Sequence, residues 1–182
     1  ERLIMTSIDT KNWNEFIVSD IFETNYRGKV PTGAAITKKN LIRDELNGIP
    51  RVTATEENNG IFDYYKFVNI KNWREYRNFI SVSFLGAVFY HKQKATLDMK
   101  IHCLRPLEYE LNDNTGLFMV TIIKFALSEF DYGDQLSSTA LTDLKIKLPV
   151  DRDKHIDWEF MDNFIENERI ALKPRMDYLT QI

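Results

Sequence analysis

Between residues 79 and 104 the chain alternates apolar and polar side chains with a period of two. Ile80, Val82 and Phe84 share one side of an extended chain and Ser81 and Ser83 the other, until Gly86 interrupts the run. Residues 87–91 resume it, Lys92-Gln93-Lys94 breaks it, and Met99, Ile101 and Cys103 then alternate with Lys100 and His102. A period of two puts successive side chains on opposite faces of a strand, so this stretch predicts a meander of antiparallel strands. A sheet with an apolar face needs a second layer to cover it, and that requirement narrows the fold more than any other feature.

The cover comes later in the chain. Residues 117–130 are apolar almost all round, with a polar stripe of Thr121, Lys124 and Ser128 at helical spacing. They predict a core helix with Asn112, Asp113 or Asn114 as its N-cap. Leu144, Ile146 and Leu148 against Lys145 and Lys147 predict one more strand, stopped by Pro149. Asp157 can cap a last helix on which Trp158, Met161 and Ile165 fall on one stripe. Upstream, residues 13–22 read as a strand leading into a short turn, residues 49–54 as a strand and residues 61–70 as an aromatic–polar alternation. Residues 25–48 are polar and rich in Gly and Lys, a long loop ending in a short helix at residues 40–46; such loops are usually functional. Strands early and helices late predict an α+β domain: a twisted, mostly antiparallel sheet with helices packed against it. The 182 residues suit one domain, with residues 1–156 as its body and residues 157–182 as a C-terminal helix and tail.

Much chemistry is excluded. The single cysteine, Cys103, rules out a disulfide framework, a Cys-rich zinc site and a CxxC redox motif. No apolar run approaches the ~18 residues of a membrane span and no signal peptide can be read, so a cytoplasmic protein with no membrane contact is expected. The chain opens at Glu1 rather than Met, as a piece of a longer protein would. The sequence has no phosphate-binding loop, dinucleotide fingerprint, nucleophile elbow or zinc-protease motif, nor the motifs of an amino-methyltransferase. Asp143-Leu144-Lys145 is the nearest nuclease-like fragment, but it lacks an acidic partner at convincing spacing, and alternating Lys on a strand is the ordinary solvated-face pattern. His91, Asp98, His102 and Cys103 make a metal site on paper only, because adjacent His102 and Cys103 point to opposite faces of a strand. No metal and no catalytic residue is expected. Cys103 reads as a small buried apolar residue, His155 as surface and Asp157 as cap.

Charge is unevenly spread. Residues 1–105 carry 16 Lys and Arg against 12 Asp and Glu, a balance of +4, and residues 106–182 carry 8 against 15, a balance of −7. A basic part beside an acidic part suits a polyanion-binding face and a separate protein-contacting face, although ordinary solvated surface gives the same count. The overall −3 counts mildly against a free-standing DNA binder.

Several segments, in order, carry a resemblance. They are Gly48-Ile49-Pro50-Arg51-Val52-Thr53-Ala54-Thr55 followed by Asn58-Asn59-Gly60-Ile61, then Ile80-Ser81-Val82, and Gly86-Ala87-Val88-Phe89-Tyr90 leading to Cys103-Leu104-Arg105-Pro106. Last come Lys145-Ile146-Lys147-Leu148-Pro149-Val150 and Asp157-Trp158-Glu159-Phe160-Met161. Across residues 13–166 the chain resembles a target recognition domain of type I restriction–modification specificity subunits, or of type II enzymes organised the same way. The resemblance implies a DNA-reading domain in residues 1–156 without catalysis or cofactor of its own. It would read one half of a split target in double-stranded DNA. A partner methyltransferase subunit using S-adenosylmethionine and a restriction subunit would do the chemistry. Family members usually carry two such domains separated by long helices; here there is one, and residues 157–182 give at most the start of a spacer helix. The chain is then a fragment, or a half-size subunit that needs a homodimer or a second recognition domain. Two alternatives stand beside this: the recognition part of a single-chain restriction enzyme–methyltransferase, and a non-catalytic protein-interaction domain.

A sequence-specific reader needs cations for phosphates and hydrogen-bonding side chains for base edges. On chemistry and loop position the base-reading candidates are Arg51, Thr53, Thr55, Asn58 and Asn59. For Asn58-Asn59-Gly60 the bland alternative is a plain tight turn, and for Arg51 an ion pair with Glu56 or Glu57. The phosphate candidates are Arg27, Lys29, Lys38, Lys39, Lys92 and Lys94, drawn from a wider basic set that includes Lys66, Lys71, Arg74, Arg77, Lys100 and Arg43. Tyr64, Tyr65, Phe67 and Tyr90 could stack on bases or fill a core. Trp158, Met161 and Ile165, with Phe160 and Phe164, could contact a partner subunit or pack the terminal helix.

Overall fold

The computed structural model describes residues 8–66, 71–128 and 136–179. Phe67, the end of the run to Ile70, and Phe130 lie outside them. In chain order the elements are β1 (Asn14–Ile17), α1 (Val18–Ile21), β2 (Ile49–Val52), β3 (Ile61–Tyr65), β4 (Glu75–Tyr76), β5 (Phe79–Ser83), β6 (Val88–His91), β7 (Ala95–Leu97) and β8 (Ile101–Leu104). Then follow α2 (Asp113–Ser128), α3 (Ser138–Thr142), β9 (Lys145–Leu148) and α4 (Trp158–Leu179). The α+β class holds, but the strands divide among three sheets: β1-β9, β3-β2-β7-β4 and β6-β5-β8.

The expected meander breaks at β7. β5 pairs with β6 and β8 in antiparallel register, Ile80 opposite Tyr90 and Leu104. β7 instead leaves for the second sheet, where it lies parallel to β2, with Arg51 beside Thr96 and Val52 beside Leu97. The expected solvent face of β5 is also absent: all five of its residues are buried. Ile80 and Val82 join the main core with Val88, Leu104, Phe118, Met119, Ile123, Ile146, Leu148 and Met161. On the other face Phe79, Ile101 and Cys103 join a smaller core with Val52, Ala95 and Leu97 from the second sheet. Ser81 tolerates this face because its hydroxyl lies 2.8 Å from His91 Nε2, and a buried polar group is cheap only when bonded.

The long loop has one short 3-10 turn, Lys38–Asn40, rather than a helix at residues 40–46. In place of that helix Asp44 Oδ1 accepts the Leu46 and Asn47 N–H groups, closing a tight turn. Earlier in the same loop the chain runs along the free edge of β8, through Cys103 N–H to Pro31 and Gly33 N–H to Ile101. Gly33 is required there, since a Cβ would sit 2.1 Å from the Asp98 carbonyl oxygen.

The helices seal the main core. Asn112 caps α2: its Oδ1 accepts from the N–H groups of Asn114 and Thr115, and Thr115 Oγ1 accepts from Asn112 N–H in return. Asp157 caps α4 through Phe160 N–H at 2.8 Å. Phe160 and Phe164 meet Phe118 edge-on, with ring centroids 6.4 and 5.9 Å away, so the first turns of α4 belong to the same core as the sheet. Pro174 sits inside α4. Among the described residues no helix is long and apolar enough to cross a membrane.

Candidate nucleic-acid interface

Strand direction gathers several connections at one end of the two larger sheets. β2 and β7 are parallel and finish there, while β3 and β4, antiparallel to them, begin there. β5 also ends at this edge, and β6 and β8 start from it. Three turns therefore converge: residues 53–60, 84–87 and 98–100. Backbone bonds tie them together, from Asp98 N–H to Val52, Thr53 N–H to Gly60 and Phe84 N–H to Lys100.

The first turn carries Thr53, Thr55, Asn58 and Asn59. Asn58, Asn59 and Gly60 all have positive φ, at 46°, 53° and 75°, which Asn and Gly tolerate best. Asn58 Nδ2 donates to the Ile61 carbonyl at 3.3 Å, and Thr55 Oγ1 accepts from Glu57 N–H. The segment is a tight turn, and its two Asn side chains are exposed.

Arg51 is a correction. It is 3% exposed, and its guanidinium donates to Asp98 Oδ1 at 2.7 Å, the Ala34 carbonyl at 3.0 Å and Thr96 Oγ1 at 3.4 Å. Neither Glu56 nor Glu57 is its partner. A buried side chain held on three acceptors is not free to reach a base edge, so Arg51 supports the turn at 98–100 from beneath.

The cations sort by place. Lys38 and Lys39 are exposed in the 3-10 turn of the loop that Arg51 anchors at Ala34. Arg74, exposed at the start of β4, donates to the carbonyls of Thr32 at 2.7 Å and Gly33 at 3.5 Å. Asn72 Nδ2 reaches the Ala35 carbonyl, which brings exposed Lys71 to the same loop. Lys100, in the turn itself at φ 64°, holds its ammonium 5.0 Å from the Phe84 ring centroid. Lys92 and Lys94 belong elsewhere. They lie in the β6–β7 turn at the opposite end of these strands and pair with Asp113 at 3.0 Å and Glu75 at 2.9 Å. Arg27 and Lys29 occupy a turn closed by Asn25, beside the end of β8 remote from Lys100. The structure thus separates Arg27, Lys29, Lys92 and Lys94 from the converging turns, and sets Lys38 and Lys39 between Ala34, bonded to Leu97 at that end, and Ile42, bonded to Lys66 at the far end of β3. Lys71, Arg74 and Lys100 carry no distinguishing sequence signal; strand pairing and the bonds of Asn72 and Arg74 to the loop carbonyls place them.

Of the aromatic set, Tyr65 is 9% exposed and packed. Tyr90 donates to Asn78 Oδ1 at 2.8 Å, with its ring where a Cβ on Gly116 would fall; burial pushes its hydroxyl up to about 12. The helical stripe suited to a partner turns inward: Met161 is fully buried, Trp158 stacks on Tyr109 at 4.2 Å, and Ile165 packs on the main core.

The four residues that make a metal site on paper have other duties. Burial lowers the His91 imidazole to about 4 and lowers His102 as well, and it raises the Cys103 thiol; Asp98 is committed to Arg51. Among the described residues Asp151, Asp153 and His155 do place three donor atoms within 4.8 Å of one another, all exposed. Asp151 Oδ1 there is already accepting from the N–H groups of Asp153 and His155.

The specificity subunit S.BcgI of a type II restriction enzyme from Heyndrickxia coagulans is 28% identical over 164 residues, 88% of this chain and 45% of that protein. Two solved structures share the fold. The S subunit of a type I restriction–modification system from M. genitalium matches 93% of this chain and 43% of its own, at 13% identity and a TM-score of 0.56. The HsdS subunit from Thermoanaerobacter tengcongensis matches 95% and 42%, at 14% identity and a TM-score of 0.58. The chain spans less than half the length of each of these relatives. Its residues 10–174 match the family model described as the type I restriction modification DNA specificity domain, and the chain belongs to that family.

Proposed function

We propose that this chain is a sequence-specific DNA-binding domain that reads one half of a bipartite target for a restriction–modification system. The observation that carries the reading is the convergence of the exposed Asn58-Asn59 turn with the Lys100 turn at one end of the sheets, beside the loop at 32–35 to which Arg74 and Asn72 bond. Exposed amides can meet base edges and the cations can meet phosphates. The basic balance of residues 1–105 supports the same face. Catalysis is left to partners: a methyltransferase subunit using S-adenosylmethionine and a restriction subunit, in the cytoplasm. Residues 157–182 then lead towards a second recognition domain or a second copy. Because relatives are about twice as long, the domain also suits a longer chain with further domains.

The test is selection from randomised duplexes by the protein alone and with its methyltransferase subunit, at two salt concentrations. A short fixed half-site should be enriched, with affinity falling as salt rises. Replacing Arg74 or Lys38 by Gln should reduce the slope of log K against log salt by about 0.9 for each phosphate no longer neutralised. The pair Lys92→Gln and Lys94→Gln should leave it unchanged. No enrichment with the methyltransferase present would leave the protein-interaction reading.

A further inference from the structure

Two of the converging turns hold apolar side chains out into water. Leu85, in the turn at 84–87, is 60% exposed, and Met99, in the turn at 98–100, is 54% exposed. The turns are joined by the bond from Phe84 N–H to the Lys100 carbonyl at 3.1 Å, so Leu85 and Met99 each lie one residue from a paired position. Neither turn is loose. Ser83, 3% exposed, accepts the N–H groups of both Leu85 and Ala87 on its hydroxyl, and Gly86 N–H closes on the Ser83 carbonyl. Asp98 is fixed by Arg51 and by the bond to Val52. Beside Met99 a recess of about 340 Å³ continues the apolar surface, with Phe84, Met99 and Leu136 among its walls and Thr32 and Ser137 at its polar side.

An isolated exposed apolar residue is ordinary. Two on adjacent rigid turns, bordered by Lys100 and at the same end of the sheets as the Asn58-Asn59 turn, form a patch whose conformational cost is met before binding. Lys100 is the cation beside it, the Asp98 carboxylate is paired with Arg51, and Glu56 and Glu57 are exposed in the 53–60 turn; DNA is the occupant because the patch shares the end of the sheets that carries the proposed reading face. The feature of a base edge that an apolar side chain recognises is the thymine 5-methyl group, which lies in the major groove. That groove, about 12 Å wide, admits a two-stranded β-ribbon, and the minor groove, about 6 Å wide, does not.

We infer that Leu85 and Met99 enter the major groove together and read thymine methyl groups, with Lys100 on the flanking phosphate. This rests on the DNA-reading function proposed above and adds the base class the domain prefers.

The experiment uses the full chain with its methyltransferase subunit and the half-site selected from randomised duplexes. Each thymine of that site is replaced in turn by uracil, which removes only the methyl. Wild-type protein should bind at least one uracil duplex about fourfold more weakly. Leu85→Ser/Met99→Ser should bind the thymine site as weakly as the wild type binds a duplex in which every sensitive thymine is replaced by uracil, and should ignore the substitution. Its salt slope and thermal melt should match wild type, since both side chains are exposed and uncharged. Insensitivity of the wild type to every uracil, or an equal response in the double variant, overturns the inference and leaves the DNA-reading function standing. Loss of methyltransferase assembly in the double variant also overturns it, marking the patch as a protein contact. Failure of the wild type to select any site overturns the DNA-reading function and this inference with it.

Discussion

The guanidinium of Arg51 and the carboxylate of Asp98 meet at 2.7 Å, but only one of them is inside the protein. The Arg51 side chain is 3% exposed and that of Asp98 42%. Removing either partner is therefore not equivalent. Asp98→Ala strands a buried cation and should cost about 3 kcal/mol, as broken buried pairs do. Arg51→Met leaves a carboxylate that water can reach and fills the volume with apolar atoms, so the expected cost is smaller, about 1–2 kcal/mol. Urea unfolding of the two variants checks the order, and a costlier Arg51→Met would contradict it.

Two glycines in the same loop should respond very unequally to an added methyl. Gly33→Ala would place Cβ 2.1 Å from the Asp98 carbonyl oxygen and 2.5 Å from Leu97 backbone atoms. Backbone cannot yield cheaply there, so the variant should lose more than about 4 kcal/mol or fail to fold. Gly28 has φ 67° and nothing within 4 Å of its Cβ position; Gly28→Ala should cost only the left-handed strain, about 1 kcal/mol. Expression level and melting temperature separate the two.

Acid should destabilise the protein before its carboxylates titrate. Burial lowers the folded-state pKa of His91 from 6.5 to about 4, so the folded protein keeps this ring neutral while the unfolded chain takes up a proton below about pH 6.5. Stability from this group is complete above that value and declines as pH falls towards 4, with a ceiling of about 3 kcal/mol. His102 shifts in the same direction. Between about pH 6.5 and 4.5 melting temperatures should fall for wild type and less steeply for His91→Gln. Equal slopes would show that His91 contributes nothing.

Helix α4 should show a sharp division along its length. Met161 is fully buried while Ile170 is 61% exposed. Met161→Ala should therefore cost about 2–5 kcal/mol through the cavity it leaves. Ile170→Ala should stay within about 0.5 kcal/mol in this chain. Denaturant midpoints of the two variants provide the comparison.

The elements themselves were largely legible. Alternation located β5, β6, β8 and β9, and the all-round apolar segment located α2. Asp157 was legible as the cap of α4 and Asn112 as one of three candidates for α2, because such side chains bond their own downstream N–H groups. Local interactions of this kind are written in neighbouring residues, which is why they can be read without coordinates. Partners distant in sequence were not legible. Nothing near Ser81 and Ser83 indicates that their face is covered by Val52 and Leu97. Nor does the motif around Arg51 reveal that its acceptors are Ala34, Thr96 and Asp98 rather than the adjacent Glu56 and Glu57. The stripe of Trp158, Met161 and Ile165 was correct as a helical face, but periodicity cannot say whether such a face meets its own domain or another chain.

The sequence by itself therefore determined the α+β class, the two long helices, the tight turn at Asn58-Asn59-Gly60 and a family resemblance carried by ordered segments. Tertiary structure alone decided which cations share a surface. Lys92 and Lys94 stand close in sequence to Lys100, yet β7 intervenes and carries them to opposite ends of the sheet. Lys71 and Arg74 are far from Lys38 in the chain, yet bonds to the carbonyls of Thr32, Gly33 and Ala35 bring them to its loop. An electrostatic surface depends on distances through space, and these are fixed by strand direction and pairing, which no local pattern records.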